Sequence, residues 1–345
     1  MKAALFPGNG TVVVVDRDVP RPGPGEVLVR SRASAICRSD IHLYHGNPVI
    51  GGDTAGAGAG AIVPGHEPAG EVAELGEGVT GLGVGDRITG YLPIGCDHCE
   101  YCASGYLMLC ARWKCLGSDV DGGDADYLVL PARNCLPLPD EVSFVAGALM
   151  TDMFGSQYHT QKRLDIRGGK TVAVFGLGPM GAASILVAKA FGAEVVAVDL
   201  IKERLELAST LGAMATVDSQ IDDPVEVIRE LTGGRGVDVA IDCSGAPQAQ
   251  NAALDVACKL GAVAFVGESR ATEINPSDQI IRKLLRVVGG WYFPLGEWEE
   301  IARLVVEKKP ALESLVTHRY DIAEAPEAFR AFDRRETEKA VFTWA

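Results

Sequence analysis

Cys96, Cys99, Cys102 and Cys110 follow one another as C-x2-C-x2-C-x7-C in a polar stretch without the pattern of a long helix or strand. Four thiolates so close along the chain can wrap one tetrahedral Zn²⁺ through sulfur bonds of about 2.3 Å. No open coordination position remains in such a site, so its metal braces the fold and does not react. Disulfides are the other reading of clustered cysteines, and they need an oxidising compartment. Met1–Pro7 carries no basic segment followed by an apolar core. The remaining five of the nine cysteines (Cys37, Cys115, Cys135, Cys243 and Cys258) are scattered singly, as in a reduced cytoplasmic protein. His98 lies inside the lobe and reads as solvated, four thiols being enough for the metal.

A second group suits phosphate chemistry. Gly176-Leu177-Gly178-Pro179-Met180-Gly181 spells G-x-G-x-x-G directly after the strand-like run TVAVF and directly before a helical run. In that setting the first glycine makes a tight turn, the second admits a pyrophosphate to the backbone, and the third lets helix and strand pack closely. The helix N-terminus adds free N–H groups and partial positive charge. Asp199 ends the next strand-like run, EVVAVD, at the distance where a carboxylate meets the adenosine ribose. A carboxylate there accepts from both ribose hydroxyls and repels a 2′-phosphate, which predicts NAD over NADP. Asp199 also reads as a cap for the following helix. Arg204, one turn further on, either approaches the adenosine side or lies on the surface.

Three more pieces stand far apart: Cys37-Arg38-Ser39-Asp40-Ile41-His42, Gly65-His66-Glu67 and Thr151-Asp152. Cys37 and His66 are ligand types suited to Zn²⁺. A reacting zinc takes about three protein ligands and keeps a position open for water or substrate. Asp152 is the candidate third ligand. No local spacing joins the three, and a buried core role stays open for the lone Cys and the lone His.

The elements that must position these groups fall into two textures. Residues 1 to about 150 read as short strands punctuated by Gly and Pro: Thr11–Val15, Glu26–Arg30, Gly70–Leu75, Asp86–Gly90 and Tyr127–Leu130. From about Leu164–Gly169 strand-like runs alternate with helical ones: Thr171–Phe175, Pro179–Phe191, Glu194–Val198, Lys202–Leu211, Val237–Asp242, Gln248–Lys259 and Ala262–Val266. That alternation predicts a parallel sheet with helices on both faces. After Gly289–Gly290 come two amphipathic helices, Glu297–Lys308 and Ala325–Arg334, and a last strand near Ala340–Thr343. The glycine-rich stretch Gly51–Gly60 reads as a mobile loop. A length of 345 residues predicts two domains. The longest apolar runs, such as Val12–Val15, are strand-sized, so no membrane span is expected. A net charge of −14 disfavours nucleic-acid partners.

In this order CRSDIH, GHE, the lobe CDHCEYC…C and GLGPMG resemble the zinc-dependent medium-chain alcohol dehydrogenases, over essentially the full chain. The resemblance implies an α/β protein. Its GroES-like, irregular β-rich catalytic domain would comprise residues 1–153 and 291–345 and carry both zinc sites. A doubly wound, parallel-sheet Rossmann domain would occupy 154–290 and bind NAD. Two Zn²⁺ per chain are implied, one structural and one catalytic. Cys37, His66 and Asp152 match the catalytic ligands, with Glu67 beside the metal as an alternate ligand or a neighbour of the ligands. Asp40 matches the carboxylate that orients the ligating imidazole, and Ser39 and His42 match the relay that takes the alcohol proton to solvent. Arg38 and Lys339 match cations near the pyrophosphate, while Leu92 and Trp113 match pocket-lining positions.

The implied activity is reversible, NAD-linked oxidation of a primary or secondary alcohol, polyols and amino alcohols such as threonine included, to aldehyde or ketone. The implied setting is a cytoplasmic homo-tetramer, or else a homodimer, acting on small molecules without nucleic acid or membrane. Two departures matter. Position 152 carries Asp where many members carry Cys or Glu, and the glycine-rich 51–60 falls where substrate loops lie, so the substrate is not legible. One rival is a zinc-free NADPH-dependent enone or quinone reductase on the same scaffold, against which Cys37, His66 and the lobe speak. The other is a non-catalytic dinucleotide-binding protein, which leaves Ser39 and His42 unexplained.

Overall fold

The computed structural model describes residues 1–47 and 62–345; the stretch 51–60 lies outside them. The chain divides into two compact units. One comprises Met1–Asp152, Pro294–Glu307 and Leu312–Ala345, the other Met153–Phe293 and Lys308–Ala311. Among the described residues no helix is long and apolar enough to cross a membrane.

The first unit runs β1 (Lys2–Leu5), β2 (Val13–Asp16), β3 (Glu26–Ala35), α1 (Arg38–Tyr44), β4 (Glu67–Leu75), β5 (Arg87–Gly90) and β6 (Pro93–Ile94). It continues through α2 (Glu100–Ala103), β7 (Lys114–Cys115), β8 (Tyr127–Pro131), β9 (Cys135–Pro137) and α3 (Phe144–Ala148) to a π-type turn over Met150–Phe154. The second unit holds α4 (Gly155–Arg163), β10 (Thr171–Phe175), α5 (Pro179–Ala190), β11 (Glu194–Asp199), α6 (Lys202–Thr210), β12 (Ala215–Asp218) and α7 (Pro224–Leu231). It ends with β13 (Val237–Asp242), α8 (Pro247–Val256), β14 (Ala257–Phe265) and β15 (Arg286–Gly289). The chain then returns with α9 (Trp298–Lys308), β16 (Val316–Tyr320), α10 (Ala325–Asp333) and β17 (Lys339–Thr343).

In the first unit β3 is the organising strand. It pairs antiparallel with β4, β8 and β17, and Ala35 lies opposite Glu67 at the end where Cys37 follows. Helix α1 buries Ile41, Leu43 and Tyr44, which share one apolar cluster with Phe6, Phe329, Phe332 and Phe342. Phe6 meets Phe329 edge-on with ring centroids 4.7 Å apart, the arrangement that places a ring edge against a ring face. This anchoring fixes the N-terminus of α1, where Cys37, Ser39 and Asp40 stand.

In the second unit six strands pair in parallel in the order β12-β11-β10-β13-β14-β15. TVAVF and VDVAID are almost wholly buried, as strands covered on both faces must be. The strand order reverses between β10 and β13, and ligands of such sheets bind at the carboxyl ends of the strands there. The helix expected through Lys259 stops at Val256, and Ala257 begins a strand. The Lys283 ammonium donates to the carbonyls of Leu254, Asp255 and Ala257 at 2.8, 2.8 and 3.2 Å, which satisfies the orphan acceptors of the helix end.

Candidate active site

Cys37 precedes α1 in extended conformation, and its N–H donates to Asp40 Oδ2 at 2.8 Å. The other oxygen of Asp40 lies 3.0 Å from Nδ1 of His66, and both side chains are buried. With Asp40 as the acceptor, Nδ1 carries a proton, and Nε2 is the atom left to bind a metal once the imidazole is neutral. His66 stands just before β4, after Gly65 at φ +94°. Asp152 arrives on the π-type turn, a form of helix often found at functional sites. Its Oδ2 lies 3.5 Å from Cys37 Sγ and 3.7 Å from His66 Nε2. One ligand atom from each of Cys37, His66, Glu67 and Asp152 falls within 4.8 Å of the others.

The donor set fits a metal. Sulfur, imidazole nitrogen and carboxylate oxygen together are the ligand mix that zinc accepts. Glu67 Oε2 is buried and lacks a hydrogen-bond partner among the described residues, an orphan that a cation would satisfy. In the metal-free protein burial pushes the Cys37 thiol up, and the nearby Asp152 charge adds to it. Burial opposes a charged His66, but Asp40, hydrogen-bonded to it, and the neighbouring Asp152 and Cys37 outweigh it and hold the imidazole well above its ordinary value. Burial likewise opposes ionisation of Asp152, yet His66 and then Lys339 hold it below the usual carboxylate range. Glu67 is pushed up to about 7 by burial, with Lys339 acting against the shift.

The four-cysteine lobe forms a second set, with ligand atoms again within 4.8 Å of one another. Cys99 caps α2 and accepts from the Cys102 N–H at 3.4 Å, Cys102 and Cys96 sulfurs lie 4.0 Å apart, and the Arg112 N–H reaches Cys110 Sγ at 3.3 Å. Backbone donation from His98 draws Cys96 down to about 5, and burial pushes Cys102 up to about 12. His98 is engaged by the Arg112 guanidinium. Arg112 also favours the thiolate of Cys96, which in turn raises the guanidinium, a pairing that no spacing in the sequence signals.

The glycine turn lies at the reversal of the parallel sheet. A Cβ on Gly176 would stand 2.6 Å from Ser244 Cβ, and one on Gly181 would stand 1.9 Å from the Gly176 carbonyl oxygen. Gly178 is not crowded in this way, the nearest atom to its Cβ position being Arg204 Nη1 at an ordinary contact distance of 3.8 Å. It immediately precedes the first turn of α5, where Pro179, Met180 and Gly181 begin the helix, a setting that suits a pyrophosphate. Asp199 Oδ2 accepts from the Leu177 N–H at 2.5 Å, and its Oδ1 accepts from the N–H groups of Leu200 and Ile201 at 2.7 and 2.9 Å. The expected capping role is not seen: Ile201 is the N-cap of α6 and no side chain caps it, while the Asp199 carboxylate accepts from the turn before that helix and from the glycine turn. Arg204 Nη1 lies 3.9 Å from it.

The remaining positions are distributed as follows. Ser39 Oγ lies 3.4 Å from His66 Nε2, and His42, one turn along α1, is exposed. Arg38 is exposed and donates to the Phe332 carbonyl at 3.4 Å. Lys339, matched by resemblance to a pyrophosphate cation, is 1% exposed, and its ammonium stands 2.6 Å from Glu67 Oε1. Leu92 is fully buried in the first unit, and Trp113 is half-buried beside the lobe.

These two ligand sets, one closed and one built around a buried oriented histidine, together with a dinucleotide cradle, define a metal-dependent dehydrogenase. Known proteins agree. The family described as alcohol dehydrogenase GroES-like domain matches residues 23–140, and that described as zinc-binding dehydrogenase matches residues 179–307. The chain is 36% identical over 340 residues to a sorbitol dehydrogenase of Halalkalibacterium halodurans, covering 97% of this chain and 96% of that protein. It is 36% identical over 345 residues to an L-threonine 3-dehydrogenase of Pyrococcus horikoshii, with coverage of 97% and 96%. Among solved structures, an alcohol dehydrogenase from Thermus sp. ATN1 superposes with a TM-score of 0.91 at 31% identity, covering 99% of both chains. The chain belongs to the zinc-dependent medium-chain alcohol dehydrogenase family. It is an oxidoreductase acting on a CH–OH group with zinc and a nicotinamide cofactor.

Proposed function

We propose that the chain is an NAD-linked alcohol dehydrogenase with two Zn²⁺, one in the four-cysteine lobe and one held by Cys37, His66 and Asp152 with Glu67 beside it. The observation that carries the reading is the convergence of those four ligand atoms within 4.8 Å. When bound, the second zinc supplies Lewis acidity toward the substrate oxygen, and the nicotinamide supplies the hydride acceptor. Asp40 holds the proton of His66 on Nδ1 and keeps Nε2 turned inward. Ser39 Oγ, 3.4 Å from that nitrogen, takes the alcohol proton. His42, three residues on along the same helix face, passes it to water. Leu92 and Trp113 line the substrate pocket.

The glycine turn Gly176–Gly181 and the first turn of α5 hold the pyrophosphate, with Arg204 on the adenosine side. Asp199 selects NAD, since its carboxylate accepts from ribose hydroxyls and repels a 2′-phosphate. The substrate is a small primary or secondary alcohol, with polyols and amino alcohols in the class, as the similarity to sorbitol and threonine dehydrogenases supports. The working form is a cytoplasmic homo-tetramer or homodimer.

The test is a panel of primary alcohols, secondary alcohols, polyols and amino alcohols. NADH absorbance is followed with NAD and with NADP, and zinc is counted on the same sample. Turnover with NAD by protein carrying two zinc ions supports the reading. Protein with a single zinc, or a higher kcat/KM with NADP, sets aside the corresponding part.

A further inference from the structure

A carboxyl group lies behind the metal ligands that none of the chemistry above uses. Asp124 is wholly buried, and so is Ser34, whose Oγ donates to Asp124 Oδ1 at 2.6 Å. Asp124 Oδ2 lacks a partner among the described residues. A buried acid with an idle oxygen is costly, which raises the question of what the side chain does there.

Its surroundings answer it. Gly122, Gly123 and Asp124 donate their N–H groups to the carbonyls of Val63, Gly65 and Pro64 at 2.7, 2.7 and 3.0 Å, so this turn pairs with the segment leading into His66. The Asp124 carbonyl in turn accepts from the Ala4 N–H at 2.9 Å. The carboxyl lies directly against Gly65: a Cβ there would stand 2.3 Å from Asp124 Oδ1. Ser34 is on β3, opposite Pro68 of β4 and three residues before Cys37. The Ser34–Asp124 hydrogen bond therefore joins the strand that delivers Cys37 to the turn that backs the residue before His66.

We propose that Asp124 is a positioning residue: its side chain, hydrogen-bonded to Ser34 and wedged against Gly65, sets the separation of Cys37 and His66 for the reacting metal. The role needs a hydrogen-bond acceptor of this shape rather than a charge. In agreement, burial pushes the Asp124 carboxyl up to about 8, which disfavours its charged form. The inference rests on the metal site proposed above.

The experiment compares Asp124→Ala, Asp124→Asn and Ser34→Ala. Each protein is loaded with Zn²⁺ for chelator competition and with Co²⁺ for the visible absorption of the Cys37-ligated ion, the four-cysteine lobe serving as internal control. Asp124→Ala should weaken the metal at Cys37 and His66 by roughly 10–100-fold and shift its cobalt bands, while Asp124→Asn stays within about threefold of the parent. Ser34→Ala should move affinity and bands in the same direction as Asp124→Ala. Should Asp124→Ala not fold, Ser34→Ala and Asp124→Asn decide alone. Parental affinity and spectrum in Ser34→Ala overturn the inference, and so does an Asp124→Asn protein that loses the metal. If the parent itself binds only the lobe metal, the metal site fails instead, which keeps the two failures distinct.

Discussion

Asp40 does two things with two oxygens: one accepts from the backbone of Cys37 and the other orients His66. It thereby couples the positions of two ligands that lie on separate segments. Asp152 completes the set with a carboxylate, and removing it should release one metal and leave the other. We expect Asp152→Ala to lose about one of two zinc ions, retain the lobe metal, and lose activity by more than the roughly 10–100-fold typical of an outer partner. Metal analysis together with turnover checks this, and two tightly held zinc ions with full activity would contradict the ligand assignment. A pH effect follows from the same residues. In the metal-free protein both Cys37 and His66 are shifted upward and hold protons near neutrality, whereas zinc binds the thiolate and the neutral imidazole. Metal uptake at this site should therefore release about two protons near pH 7, and affinity should fall as pH is lowered. Titrating apo-protein with Zn²⁺ in weak buffer measures the release. No release beyond that of the lobe would count against it.

At the scale of elements, the glycine turn shows how local spacing becomes a binding surface. Gly181 must lack a side chain because the Gly176 carbonyl occupies the place of its Cβ, 1.9 Å away. Gly181→Ala forces β10 and α5 apart at a cost of about 1–3 kcal/mol. Coenzyme binding should weaken by about tenfold or more, since each 1.4 kcal/mol is a factor of ten, while metal content stays unchanged. Fluorescence titration with NADH on metal-analysed protein tests this, and unaltered affinity would argue against the turn as the phosphate seat. The strand–turn–helix around these glycines was legible because the motif and its flanking strand and helix lie in one short run of chain, although the packing of Gly176 against Ser244 is remote. The end of α8 was not, since the ammonium that donates to its last carbonyls comes from Lys283, a separate segment. Helix α7 is not among the elements expected from the sequence, although Asp223 as cap and Pro224 in the first turn are the pattern of a helix start.

For the molecule as a whole, stability and ligand choice are linked through mass action. A coenzyme present at about 100 times its Kd adds about 2.7 kcal/mol to the folded state. NAD should therefore raise the thermal transition of the protein, and NADP at equal concentration should raise it less, if Asp199 meets the ribose as proposed. Equal shifts would remove Asp199 from the discrimination. The two candidate ligand sets illustrate what each level of description holds. Cys96 to Cys110 announce a metal by spacing alone, because a short flexible lobe can bring its own thiols together. The glycines of 176–181 point to a phosphate seat when read with the strand before them and the helix after them. Cys37 and Asp152 are 115 residues apart, and only the pairing of β3 with β4, the anchoring of α1 and the turn at Met150–Phe154 bring them beside His66. Residue types carried the chemistry in the sequence, while the side chain that meets Lys339, and the buried carboxyl behind Gly65, were decided by packing between segments remote along the chain, for which one-dimensional spacing has no measure.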